Sequence, residues 1–194
     1  TAVGKYVIRV DAHCLYPKNY ISSLINSIIE TNVDCVGGII QTKASKSSRI
    51  AKAISFSLAH FFGVGKSEFR IGIKKRQHVS TVPFGCYAKK VFSEIGYFNE
   101  NLDRTDDLEF NKRLQNNGGK ILLLPNVRTV YFSRENYKQL FKQNFLNGFW
   151  VFYTQKYCKN FFSFKHAVPF FSLFFFLLIL VISLKTAIFL FFFY

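Results

Sequence analysis

Two short clusters hold side chains that could do chemistry together. The first is Asp11-Ala12-His13. In a strand-like backbone a carboxylate and an imidazole two residues apart point the same way. One oxygen and one nitrogen donor suit Mn2+ or Mg2+ when phosphate oxygens fill the remaining positions. Taken alone, a capping aspartate with an incidental histidine is the simpler account. The second cluster is Thr105-Asp106-Asp107-Leu108-Glu109-Phe110, three acids at a helix start. Acids in a first turn complement the helix dipole, and Glu109 can pair with Arg113 at i, i+4, which accounts for Asp106 and Glu109. Asp107 is left as a carboxylate that could take a proton from a hydroxyl.

A third cluster fails on inspection. Gly65-Lys66-Ser67 imitates the end of a phosphate-binding P-loop, but His60 stands where that loop needs a glycine, and the segment follows a helix. The stretch from Lys43 to Arg76 carries nine basic residues against one acid, Glu68. It is either a solvated face or a surface meeting anionic headgroups or a lipid-linked diphosphate. No base-stacking module accompanies it, so nucleic acid is not expected as a partner.

The elements that must position these clusters follow from periodicity. Tyr6 to Val10 predicts a buried strand with Asp11 at its carboxyl end. Pro17 then opens a helix whose Ile21, Leu24, Ile25 and Ile28 keep helical spacing. Val36–Ile40 predicts a second strand, Ser48 to about Phe62 a helix, and Thr81–Ala88 a third strand. A short helix ends at Ile95 before Gly96, and a longer one runs from Asp106 to Asn117 before Gly118-Gly119. Lys120–Leu124 and Val127–Phe132 predict strands on either side of Pro125-Asn126. Alternating strands and helices predict an α/β domain with a largely parallel sheet, whose ligands gather at strand carboxyl ends.

Composition adds a setting. The formal net charge is +15, and no acid follows Glu135, which favours an anionic partner. Cys14, Cys35, Cys86 and Cys158 show no metal-binding spacing and read as reduced thiols. From Val168 to Leu184 the chain is apolar for 17 residues. At about 1.5 Å per residue that is roughly the thickness of a bilayer's hydrocarbon core. A transmembrane segment is expected over 167–194, preceded by an amphipathic or interfacial helix and linker over 136–166. Lys156, Lys159 and Lys165 before the span place the preceding domain in the cytoplasm. The chain lacks methionine and is expected to be the back portion of a longer protein.

The run from Gly85 to Pro125, with Ile95-Gly96-Tyr97-Phe98-Asn99-Glu100, Asp106-Asp107-Leu108-Glu109-Phe110, Arg113-Leu114 and Gly118-Gly119, resembles the acceptor-side half of family 2 glycosyltransferases. Arg9-Val10-Asp11-Ala12-His13, Phe62-Gly63-Val64-Gly65 and Val82-Pro83-Phe84-Gly85 resemble the succinoglycan-biosynthesis subgroup. The resemblance covers about residues 5 to 155. It implies a GT-A nucleotide-diphospho-sugar transferase sandwich, with residues 1–135 as the later part of the catalytic domain. It further implies a nucleotide-sugar donor and a lipid-linked or glycan acceptor. Asp11 and His13 would hold a divalent cation, Asp107 would be the catalytic base, and Asp106, Gly85 and Trp150 would contact substrate. Gln143 to Trp150 falls where processive members carry Gln-x-x-Arg-Trp, and the arginine is absent here. Phe132 stands where some relatives place a histidine. A membrane-tethered metal-dependent phosphoesterase, drawing on His60, His78 or His166, and a non-catalytic basic membrane module are the alternatives.

Overall fold

A computed structural model of the chain describes residues 2–158, 161 and 164–193, with side chains described at 2–158, 161 and 171–185. In chain order the elements are β1 (Tyr6–Ile8), β2 (Cys14–Leu15), α1 (Tyr20–Thr31), β3 (Cys35–Lys43), α2 (Arg49–Ser57), α3 (Phe61–Val64) and α4 (Glu68–Ile71). They continue as β4 (Gln77–His78), β5 (Cys86–Ala88), α5 (Lys90–Ile95), α6 (Asp106–Asn116), β6 (Ile121–Phe132), α7 (Tyr137–Thr154) and α8 (Phe164–Phe193).

Successive residues of a strand face opposite sides, and β6 uses both. Ile121 and Leu123 enter a core with Phe92, Phe110 and Leu114 of α5 and α6. Leu122 and Leu124 enter another with Tyr20, Leu24 and Ile28 of α1. The sheet is therefore buried on both faces between helical layers, as its continuous apolar runs require. Of the apolar positions predicted for α1, Leu24 and Ile28 are buried while Ile21 is 59% exposed.

The sheet order is β1-β5-β3-β6-β2, with β4 also pairing β6. Among the described residues only the long β3–β6 pair is parallel; β1–β5, β3–β5, β2–β6 and β4–β6 are antiparallel. The expected largely parallel sheet is thus a mixed one. Periodicity reports which residues are buried but not the direction of a partner strand, and the short strands β2, β4 and β5 enter antiparallel.

Two other boundaries differ from expectation. The strand expected over Thr81–Ala88 is confined to Cys86–Ala88, because Phe84 takes a positive φ of 50° that no strand can contain. The two strands expected around Pro125-Asn126 are one strand, β6. Its register with β3 shifts between Gly38 and Ile39, which face Leu124 and Arg128, so Pro125 to Val127 bulge out of the ladder. Proline lacks the N–H a ladder needs, and the bulge removes that conflict. Gly38 permits it, since a Cβ there would lie 2.4 Å from the Val127 carbonyl oxygen.

Cys14, Cys35, Cys86 and Cys158 are buried, and the first three are free thiols. Among the described residues no helix is long and apolar enough to cross a membrane. The span expected over 167–194 extends at both ends beyond the described side chains, and within 171–185 the side chains of Leu173, Phe176 and Ile179 are exposed.

Candidate active site

After β1 the chain turns sharply, and Tyr16 fixes the turn. The Asp11 N–H donates to Tyr16 Oη at 2.8 Å, and the same hydroxyl donates to the Asp11 carbonyl at 3.3 Å. The Cys14 N–H also donates to that carbonyl, at 3.3 Å. The Tyr16 ring packs edge-on against Tyr20 and Phe84, so the turn is anchored in the core. Burial pushes the Tyr16 phenol up to about 12, which keeps it a donor at neutral pH. Asp11-Ala12-His13 is therefore a turn, not the strand-like backbone that would aim both side chains the same way. The turn still brings His13 Nε2 to 3.9 Å from Asp11 Oδ2, with the imidazole mostly exposed. Neighbouring ligands on one ion at about 2.1 Å lie about 3 Å apart, so the pair would close by about 1 Å to chelate a cation. Among the described residues no group of three or more His, Cys, Asp or Glu side chains that could hold a metal ion is found.

Asp107 sits in the first turn of α6, and several contacts hold it there. Its Oδ1 accepts from the Leu108 N–H at 2.8 Å. Asn111, fully buried one turn on, donates to Thr81 Oγ1 at 2.8 Å and accepts from the Tyr87 hydroxyl at 2.9 Å, tying α6 to the loop before β5. Glu109 and Arg113 form a two-armed ion pair at 2.9 Å and 2.9 Å, and Arg113 also donates to the Ile95 and Tyr97 carbonyls. Glu109 is thus used structurally, as its spacing predicts. Thr105, just before the acids, has φ 62°, an uncommon conformation for a β-branched residue. Its hydroxyl lies 2.7 Å from that of Thr154 on α7.

Arg9, the last residue but one before Asp11, joins the two clusters. Its Nη1 lies 3.1 Å from Asp107 Oδ2 and its Nη2 3.2 Å from Asp106 Oδ1. Burial raises the Asp107 carboxyl above the ordinary carboxylate value; Arg9 pulls it back, while the negative charges of Asp106 and Asp11 push it up. Arg9 responds to the fields of Asp107, Asp106 and Asp11 together. The cation pair and the candidate base therefore share one electrostatic neighbourhood, although 96 residues separate Asp11 from Asp107 in sequence.

Of the remaining predicted residues, Asp106 is placed here through Arg9. Gly85 is buried behind the site: its carbonyl accepts from the Arg9 N–H at 3.1 Å, and a Cβ would lie 3.0 Å from Cys35 Sγ. Its observed role is to admit that close packing. Trp150 lies half-buried on α7, on the face that also carries Gln143, Asn147 and Thr154. Gln143 donates to Tyr131 Oη at 3.2 Å, Asn147 accepts from Arg104 at 3.2 Å, and Thr154 meets Thr105. That face looks toward the acid cluster.

Sequence reasoning missed Arg9 and Tyr131. Arg9 carried a faint signal, a charged residue inside a short buried strand, which implies a partner acid. Tyr131 carried none; its ring meets the His13 ring at 5.9 Å because β2 pairs with β6 opposite it. A larger cavity of about 920 Å3, lined by Tyr6, Val7, Ile28, Phe92 and Phe98 among others, contains none of the predicted site residues.

An α/β sheet thus carries an Asp-x-His turn and a carboxylate at a helix start, and comparison with known sequences shows what the chain is similar to. Residues 1–96 match the family described as Glycosyl transferase family 2. The chain is 28% identical over 151 residues to the succinoglycan biosynthesis protein ExoA of Rhizobium meliloti (strain 1021), across 76% of this chain and 44% of that protein. It therefore spans less than half of that relative's length. Among solved structures it is similar to GalNAc-T7 with UDP, GalNAc and Mn2+ (18% identity, TM-score 0.46, covering 68% of this chain and 28% of that one). It is also similar to residues 1–349 of S. aureus TarS in complex with UDP-GlcNAc (18% identity, TM-score 0.47, covering 70% and 37%).

Proposed function

We propose that this chain carries the acceptor side of a GT-A glycosyltransferase that moves a sugar, with inversion, from a nucleotide-diphospho-sugar to a lipid-linked or polysaccharide acceptor during cell-surface polysaccharide synthesis. The observation that carries the reading is that Arg9, two residues before Asp11, holds Asp107 at 3.1 Å, while His13 Nε2 lies 3.9 Å from Asp11 Oδ2. An acceptor hydroxyl attacks the anomeric carbon, Asp107 takes the hydroxyl proton, and the bond to the nucleoside diphosphate breaks on the opposite face. A divalent cation (Mn2+ or Mg2+) held by Asp11 and His13 would supply positive charge against the departing diphosphate. Asp107 suits the task because its burial raises its proton affinity while Arg9 keeps it aimed. Asp106 holds the other arm of Arg9, and Trp150 offers a ring to a sugar.

The reading includes a membrane setting with the domain on the cytoplasmic side. The support is α7, which is turned inside out for a soluble helix. Its polar Gln143, Asn147 and Thr154 face the domain, while Phe141, Phe145, Phe149 and Phe152 are 73%, 66%, 53% and 72% exposed on the other side. Aromatic side chains displayed beside Lys138 and Lys142 suit an anionic lipid interface.

The test is sugar transfer from nucleotide-sugar to endogenous acceptor in membranes of cells expressing the protein, with and without EDTA. Transfer should be abolished by the chelator and restored by Mn2+ or Mg2+. Full transfer in EDTA would remove Asp11 and His13 from the role given them.

A further inference from the structure

We propose that Arg70 anchors a phosphoryl-binding site at the carboxyl end of the β3–β6 pair, next to Asp11-His13 but separate from it, which takes one phosphate of a diphosphate. Which diphosphate it takes rests on the glycosyltransferase reading; the phosphoryl chemistry does not.

Arg70, in the last turn of α4, lines a cavity of about 520 Å3 together with Gln41 and Thr42 of β3, Lys74 and Arg128. No acid lines that cavity. Arg70 Nη1 and Thr42 Oγ1 are buried and have no hydrogen-bond partner among the described residues. Among the described residues no carboxylate bridges Arg70. Burial drives the guanidinium's proton affinity down, and Tyr131 offsets part of that. What supports the group is aromatic: its carbon lies 5.7 Å over the Phe69 ring and 5.6 Å over the Tyr131 ring. A guanidinium arm buried without an anion leaves a desolvation cost uncompensated. An oxyanion in the cavity would remove it. The planar fork fits phosphate oxygens two at a time, and Lys74, Arg128 and the Thr42 hydroxyl add donors around the same space.

Tyr131 sets the location. Arg70 lies over its ring, the His13 ring meets it at 5.9 Å, and its register partners are Thr42 on β3 and Cys14 on β2. Arg70 and His13 therefore approach one tyrosine at the strand ends where α/β sheets bind ligands. A diphosphate with one phosphate at Arg70 and the other toward His13 would satisfy both.

The test is calorimetric titration of the full chain in detergent, at low salt and in EDTA, with inorganic pyrophosphate. The chelator removes any contribution through Asp11 and His13, so this measurement and the metal dependence of sugar transfer can fail independently. Arg70→Gln should weaken pyrophosphate binding about tenfold or more, while Lys18→Gln, the same charge change outside the cavity, should not. If Arg70→Gln does not fold, Arg70→Lys decides: it keeps the charge, loses the fork and should bind several-fold more weakly. No pyrophosphate binding, equal loss in Lys18→Gln, or equal binding of succinate would overturn the site. Competition names the source. UDP displacing pyrophosphate, with phosphatidylglycerol vesicles inert, assigns the donor's diphosphate. The reverse assigns a lipid phosphate, and competition by neither overturns the proposal.

Discussion

Arg9 Nη1 lies 3.1 Å from Asp107 Oδ2, while the other arm of the same guanidinium reaches Asp106 Oδ1 at 3.2 Å. A residue two positions before the cation turn thus holds the candidate base. Arg9 lowers the proton affinity of Asp107, which burial raises, so losing Arg9 leaves the base protonated over a wider acid range. Arg9→Gln should move the acid limb of the kcat/KM profile to higher pH. The loss should be about tenfold near pH 6 and smaller near pH 8. Arg9→Lys should recover part of it. A uniform loss at all pH values would mean that Arg9 acts only on folding.

The same shift makes a stability prediction with a definite sign. The Asp107 carboxyl is raised in the folded state, so the unfolded chain releases its proton first. Stability contributed by the neutral form is present below the ordinary carboxylate value of 3.8 and declines as pH rises through the folded value. Asp107→Asn stays neutral at all pH values. Its melting temperature relative to the parent should therefore rise between acid and neutral pH, and a gap independent of pH would contradict this.

Glu109 keeps only 4% of its side chain exposed and depends on Arg113 for compensation. Arg113→Ala would leave that carboxylate buried and unpaired and also remove donors from the Ile95 and Tyr97 carbonyls. A loss of about 3 kcal/mol or more is expected in denaturant unfolding. Glu109→Gln with Arg113→Met should cost less than Arg113→Ala alone.

The outward aromatic face of α7 predicts lipid binding without a role in chemistry. Phe141→Ser with Phe145→Ser should reduce partition of the protein onto phosphatidylglycerol vesicles by about tenfold or more. The unfolding midpoint should hardly move, because both rings are exposed in the fold. Equal partition of the double variant and the parent would remove α7 as a lipid surface.

Much of the scaffold could be read in the residues because it depends on local rules. The boundaries of α6 follow from acids at its start and Gly118-Gly119 at its end, and α5 stops where Gly96 takes φ 81°. Glu109 pairs with Arg113 as i, i+4 spacing requires. The long-range features were not legible. Nothing in Arg9-Val10-Asp11 says that Arg9 meets acids 97 and 98 residues away. Nor does Gly-Val-Gly-Lys reveal that the following turn carries Arg70 over Tyr131. The turn at Asp11–His13 was not legible as a turn because Tyr16, five residues on, sets its shape through one hydroxyl.

Asp107 is the residue on which the proposed transfer depends most directly. In membranes of cells expressing the protein, Asp107→Asn should lower the turnover of sugar transfer by about a hundredfold or more while donor KM stays within about threefold. Turnover within twofold of the parent at normal expression would contradict the assignment of Asp107 as the base, and with it the reading of this site.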